Sequence, residues 1–373
     1  MNAGLPYSPG LENVIATITR ISTIDTENHR ILLRGYDLIE LAKMASYEQA
    51  VYVLLYGKFP SDVESEAFQK QLLSKMSVPE TVYEVLAKLP SNIHPMDAVR
   101  IGISVLAAYE QDLEGTSVES NLEKGLRLIA TTPVIVGNGF RIFKKLKPLE
   151  PIKEKGLSYN LLRLLKGAEP DAFEARIFEQ TMILYIEHEL AASTFTARVV
   201  ASTLSDIYNA VCAAISALKG PLHGRANEKV MQMLLEIGDA SKADQYIEGL
   251  LMRKERVMGF GHRVYKKGID PRALLAKDLL KQLASRRGAM IWYELADRIE
   301  KLMKEKKDLY PNVDFFTGPL YYIMGIEVSQ YTPIFVAARM AGWVAHVVEQ
   351  QSDNRIFRPR ALYQGPSYIP LSR

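Results

Sequence analysis

Apolar residues in this chain recur mostly at helical spacings. In LAKMASYEQAVYVLLYG, positions Leu41, Met44, Ala45, Ala50, Val51, Leu54 and Leu55 fall at helix-like spacings. They predict a helix that Gly57 and Phe59-Pro60 then end. Further helix starts follow the same grammar, a capping side chain or early proline ahead of an apolar-periodic run. Ser61-Asp62 precedes VESEAFQKQLL, Ser77-Val78-Pro79 precedes ETVYEVLAKL, and Pro95-Met96-Asp97 opens AVRIGISVLAAYE. The proline- and lysine-rich stretch 144–156 reads as an exposed connection. A long apolar run from Glu174 to Leu218 is dense in alanine and serine, which lets helix backbones approach closely and predicts a buried central helix pair. Only the beginning differs. The β-branched, alternating residues around Asp25-Thr26-Glu27-Asn28 predict a small hairpin or extended arm. There is no strand–helix alternation to suggest a parallel sheet and no fixed-period repeat to suggest a solenoid. The expected class is all-α with a short N-terminal extended arm.

Composition narrows the function classes. The chain has 373 residues, 48% apolar and 24% charged, enough to bury a large core without disulfides or a structural metal. A net charge of +3 from 46 basic and 43 acidic residues is too balanced to argue for a nucleic-acid partner. The single cysteine, Cys212, has no disulfide partner, reads as a small buried hydrophobe, and suggests a reducing compartment. No apolar run reaches bilayer-spanning length, and MNAGLPYSPGLENV lacks the basic start and apolar core of a secretion signal. A cytoplasmic location is the expectation. Metal ligation is not expected: His188-Glu189 begins like HExxH, but Ala192 stands where the second histidine belongs. His346 and Glu349, one turn apart, are expected to bond locally.

Three segments place ionisable groups beside glycine and proline, where helices stop. They are Lys219-Gly220-Pro221-Leu222-His223-Gly224, then Met258-Gly259-Phe260-Gly261-His262-Arg263-Val264-Tyr265 followed by Asp270-Pro271-Arg272, and Tyr310-Pro311-Asn312-Val313-Asp314-Phe315-Phe316. A histidine between Gly-Pro and Gly sits on a turn, accessible to a ligand. Glycines flanking Phe260 permit an unusual backbone path. Apolar neighbours raise a carboxyl pKa towards a value useful for proton transfer. Taken singly, each has a plainer explanation: a turn histidine often only caps or bonds, and Asp314 could cap the helix after it. Together, two turn histidines, an aromatic-flanked aspartate and downstream arginines point to acid–base chemistry on an anionic substrate.

GPLHG, GFGHRVY with DPR, and NVDF, in this order, resemble the three active-site segments of the citrate synthase family. The likeness extends to RGYDLIELAKMASYEQAVYVLLYGKFP, HPMDAVRIGIS, HELAASTFTARVVASTLSDIYNAVCAAISALKGPLHG and GWVAHVVEQQSDNRIFRPRALYQG, so it spans residues 35–365. It implies Claisen-type condensation of acetyl-CoA with oxaloacetate and hydrolysis of the thioester to citrate and CoA, with no tightly bound cofactor. Asp314 would take the methyl proton. His223, neutral, would donate to the thioester oxygen, where charge develops. His262 would polarise and protonate the oxaloacetate carbonyl and assist hydrolysis. Arg272, Arg339 and Arg358 match family arginines for the substrate carboxylates, a task suited to a planar fork. Arg358 would reach the neighbouring subunit's site in a homodimer. His188 matches a histidine that touches the oxo diacid. Arg256, Gly259 and Gly261, with Arg263 and Lys266, would embrace the adenine and phosphates of coenzyme A.

The family fold implies a discontinuous large helical domain, 1–222 with 318–373, and a small domain, 223–317, inserted in it and closing on oxaloacetate. Two positions depart from the family pattern: Arg225 replaces a small residue after GPLHG, and Ala191 replaces a common asparagine. TFTARVVASTLSD and EQQSDNR look at least as much like 2-methylcitrate synthases, which use propionyl-CoA. One methylene is worth only about 1–3 kcal/mol in an apolar pocket, so dual use is expected. A citryl-CoA-cleaving enzyme and, from another class, a non-catalytic acyl-CoA-binding protein are the remaining alternatives.

Overall fold

The computed structural model describes residues 7–261 and 268–370. Near the N-terminus β1 (Ser22–Asp25), β2 (Arg30–Leu33) and β3 (Tyr36–Asp37) form an antiparallel sheet, with Ser22 opposite Leu33 and Asp25 opposite Arg30. Asp25 Oδ1 accepts the N–H groups of Glu27 and Asn28 and closes the turn. The hairpin read from the alternation is present, with one short strand added.

The helix expected across residues 41–56 is two, α1 (Leu38–Met44) and α2 (Tyr47–Tyr56). Ser46 divides them. Its hydroxyl accepts the Gln49 N–H while the Gln49 side chain accepts the Ser46 N–H, so a fresh helix start satisfies two donors at once. Gly57, at φ 79°, ends α2 as expected. Ser61 opens α3 (Asp62–Ser74) with a second reciprocal cap to Glu64. α4 (Glu80–Ala87) follows Pro79, without the side-chain cap expected there, and α5 (Pro95–Ala107) has proline in its first turn. α6 (Val118–Phe143) runs 26 residues through Pro133, a residue that ordinarily argues against a helix interior. Mostly exposed chain at 144–156 then leads to α7 (Leu157–Lys166).

The apolar run from Glu174 to Leu218 is not one helix pair. It covers most of α8 (Ala172–Tyr185), then α9 (Ala192–Ala201) and α10 (Ile207–Leu218), because the chain turns at 186–191 and again at 202–206. α9 and α10 do pack together, with Cys212 buried on α10 as expected. Next come α11 (Ala226–Ile237), α12 (Ala243–Met252), α13 (Pro271–Arg287), α14 (Met290–Lys307) and α15 (Val313–Ile323), with α11, α13 and α14 lying against α15. Thr317, the expected end of the small domain, lies inside α15.

The centre of the molecule is α16 (Tyr331–Ser352), buried at every residue from Tyr331 to Val347 and packed on α6, α8, α9 and α10. His346 on this helix does not bond Glu349. Its Nε2 pairs with Glu187 at 3.0 Å and its Nδ1 with Arg198 at 2.9 Å, while Glu349 bonds Arg198 directly. The buried guanidinium of Arg198 outcompetes the local contact for both partners. Among the described residues, no helix is long and apolar enough to cross a membrane.

Candidate active site

Asn312 caps α15 by accepting the Asp314 N–H at 3.1 Å, which rules out the capping role for Asp314 itself. The Asp314 carboxylate lies in the first helical turn, partly accessible, where the helix dipole favours negative charge. It reaches α8: the Tyr185 hydroxyl donates to Asp314 Oδ1 at 2.6 Å. Burial raises the Asp314 pKa above the usual carboxylate value. The Tyr185 bond, Arg272 and Arg339 oppose that rise, and Asp270 adds to it.

Tyr185 also holds an arginine. Its backbone carbonyl accepts from Arg339 Nε at 2.6 Å, and the guanidinium lies 4.6 Å from the centre of the Phe335 ring. Arg339 is 1% exposed, and burial pushes its pKa down to about 10 even though Glu187 opposes this. Arg272, 4% exposed, is gripped by Asp270, to which it gives Nε at 3.0 Å and Nη2 at 2.8 Å. Asp270 does more: Oδ1 caps α13 through the Arg272 N–H, and Oδ2 accepts the Val313 N–H beside Asp314. One carboxylate thus ties the start of α13 to the start of α15.

His223 occupies the turn between α10 and α11, as its glycine neighbours predicted. The Ser193 N–H points at its Nε2 at 3.2 Å, and Ser193 Oγ lies 2.8 Å away. This makes Nε2 the acceptor and assigns the proton to Nδ1. Burial, then the charge of Arg339, push the His223 pKa down to about 4, so the ring is neutral near pH 7. Ala191 gives a local reason for this contact. It stands at the N-cap of α9 with no side chain to accept there, and the imidazole takes a helix N–H instead. Trp343 Nε1 fixes the Ser193 hydroxyl from α16 at 3.2 Å.

His188 is buried on the turn after α8, between Glu187, which accepts the Ser22 hydroxyl, and Glu189, whose N–H donates to it. Arg225 pairs loosely with Glu228 at 3.8 Å. The loop 259–261 is laced to the segment before α15. Gly261 N–H bonds Tyr310 O, Asn312 N–H bonds Gly259 O, and the Asn312 side chain donates to Gly261 O. Gly259 and Gly261 have φ of 80° and 79°, and a Cβ on Gly259 would sit 2.9 Å from Phe315 Cβ.

Asp314, Arg272, Arg339 and His223 therefore share one electrostatic neighbourhood, with His188 on the turn that follows Tyr185. Arg256 and Arg358 are exposed, the latter on the extended tail beyond α16. His262, Arg263 and Lys266 lie outside the described residues. The sequence pattern did not single out Tyr185, Ser193 or Asp270 as site residues. Asp270 carried a signal, an Asp-Pro pair typical of a helix start; Tyr185 and Ser193 meet partners 129 and 30 residues away and carried none.

Residues 10–360 match the family model described as citrate synthase, C-terminal domain. The chain is 45% identical over 362 residues to the citrate/2-methylcitrate synthase of Bacillus subtilis, covering 97% of both chains. Its fold is similar to that of the Pyrobaculum aerophilum citrate synthase, with a TM-score of 0.89, 39% identity, and 97% of this chain and 94% of the other covered. It is similar also to the Thermoplasma acidophilum citrate synthase in ternary complex with carboxymethyl coenzyme A and oxaloacetate, with a TM-score of 0.91, 31% identity and 98% of each chain covered. Extended over nearly the whole chain in both sequence and fold, these likenesses have one meaning: the chain belongs to the citrate synthase family.

Proposed function

We propose that this enzyme condenses acetyl-CoA with oxaloacetate and hydrolyses the resulting thioester to citrate and CoA. The observation that carries the reading is the Asp314 carboxylate, raised in pKa by burial and accessible beside two buried arginines and a neutral histidine. Asp314 removes a proton from the acyl methyl group, and the electron pair passes to the thioester oxygen. His223 donates Nδ1–H to that oxygen, since its Nε2 already accepts. The enol carbon attacks the oxaloacetate carbonyl, which His262 protonates, and water then releases CoA. His188, Arg272 and Arg339 bind oxaloacetate, with Arg358 of the partner subunit completing the site in a homodimer. Arg256, Gly259, Gly261, Arg263 and Lys266 hold coenzyme A. The enzyme works in the cytoplasm.

Residues 223–317 act as a small domain that closes on the large one, 1–222 with 318–373, when oxaloacetate binds. Unchanged small-angle scattering on adding oxaloacetate would count against closure.

A second acyl group has support: the Bacillus subtilis relative bears both names, and propionyl-CoA adds one methylene. The test measures oxaloacetate-dependent thiol release with each thioester, in the wild type and in Asp314→Asn. Turnover should fall by at least about 10³-fold in the variant while oxaloacetate still binds. Thiol release that is absent or independent of oxaloacetate in the wild type would favour a binding protein, and full turnover in Asp314→Asn would remove the base.

A further inference from the structure

Tyr185 is the last residue of α8 and fully buried, yet its hydroxyl lies 2.6 Å from both Asp314 Oδ1 and Thr317 Oγ1. Proton counting fixes the order of this chain. An ionised carboxylate has no hydrogen to give, so Tyr185 donates to Asp314. The phenol oxygen then accepts, and Thr317 is its donor. The other acceptors open to Thr317, the carbonyls of Val313 and Asp314, are more distant at 3.2 and 3.4 Å. The phenol cannot swing away: its backbone carbonyl holds Arg339, and its ring packs on Phe335 with centroids 4.5 Å apart.

We propose that Tyr185, oriented by Thr317, is the positioning residue of the base: it fixes one oxygen of Asp314 and sets the pH at which that carboxylate can take a proton. The inference rests on Asp314 being the base and adds the residue that tunes it. The charged and titratable groups facing Asp314 are Asp270 and Arg272 at the start of α13, Arg339 on α16 and Tyr321 on its own helix. Both arginines favour the carboxylate, but each has another carbonyl or carboxylate contact; Asp270 opposes it. Tyr185 makes the direct bond.

Removing the hydroxyl leaves burial less opposed, so the Asp314 pKa rises further. The base must be ionised to act, so the acid limb of the kcat–pH profile moves to higher pH. The experiment compares kcat–pH profiles of Tyr185→Phe, Thr317→Val, the double variant, and Tyr321→Phe as a buried-tyrosine control. Tyr185→Phe should move the acid limb up by about one pH unit, with kcat lowered by up to ~10-fold on that limb and recovering towards the wild-type level on the plateau above it. Oxaloacetate KM should change by less than about threefold. Thr317→Val should shift the limb less, in the same direction, and the double variant should match Tyr185→Phe, because Thr317 acts through the phenol. An unmoved acid limb in Tyr185→Phe, or an equal loss at every pH, overturns the proposal, as does a shift of the same size in Tyr321→Phe. If Tyr185→Phe does not fold, Thr317→Val decides by the same limb. Asp314→Asn keeps the two readings apart: if it retains turnover, the base assignment fails, whereas an inactive Asp314→Asn with an unshifted Tyr185→Phe overturns only the role of Tyr185.

Discussion

Asp270 and Arg272, two residues apart, form a fork-to-fork ion pair at 3.0 and 2.8 Å, with side chains only 1% and 5% exposed. An arginine proposed to bind a substrate carboxylate is thus already aligned by one from the protein. The pair fixes the plane of the guanidinium before substrate arrives, which reduces the ordering cost of binding. Asp270→Asn keeps an oxygen for the helix cap but removes the charge. Oxaloacetate KM should rise about tenfold, with a stability loss of about 1–3 kcal/mol. Steady-state kinetics and thermal melts check this, and an unaltered KM would contradict the aligning role.

Glu48 on α2 gives a stability signature remote from the site. Burial, with the nearby Glu179 charge adding to it, pushes its pKa from 4.5 up to about 7, although its Oε1 accepts the Leu157 N–H at 2.7 Å. Its folded-state pKa is raised, so the folded protein holds the proton more tightly than the unfolded chain. Stability therefore falls as pH rises from 4.5 to about 7 and levels off above that. The Glu48→Gln variant keeps an acceptor for Leu157 and loses the titration. Relative to wild type it should gain on the order of 2–3 kcal/mol between pH 5 and pH 8 by denaturant unfolding. A constant difference between the two proteins across that range would refute the assignment.

Arg358 is exposed on the C-terminal tail of its own chain. If it completes the site of a second subunit, Asp314→Asn and Arg358→Ala should complement one another. Each homodimer should be nearly inactive, while random mixing after dissociation should restore roughly a quarter of wild-type turnover, because half the dimers then hold one intact site. No recovery, in mixtures shown to exchange subunits, would place Arg358 outside the partner's site.

Local chemistry made much of the fold legible. Ser61, Gly57 and Pro95 mark helix ends through bonds within a few residues, and those ends lie where the pattern put them. The break at Ser46 was written in Ser46 and Gln49, but the apolar spacing ran across it and hid the cap. Pro133 works in the opposite way: its local chemistry argues for a stop, yet α6 runs through it. In the site, His223 and Asp314 announced themselves by glycine, proline and aromatic neighbours. What no local pattern conveys is pairing across the chain. Tyr185 looks like any core tyrosine until α15 is laid beside α8, and the bond expected between His346 and Glu349 gave way to an arginine that only the fold brings near.

The lacing of residues 259–261 to 310–312 has a mechanical corollary. Asn312 is at once the cap that begins α15 and the far end of two bonds from the glycine loop, with a third at Tyr310, so no slack chain separates the loop from the first turn that carries Asp314. Asn312 Oδ1 also accepts the Asp314 N–H, so a force that tugs the loop is delivered to the turn bearing the carboxylate within two residues. On the proposed assignment, one connected piece of backbone would serve both the ligand held at the loop and the substrate met by Asp314.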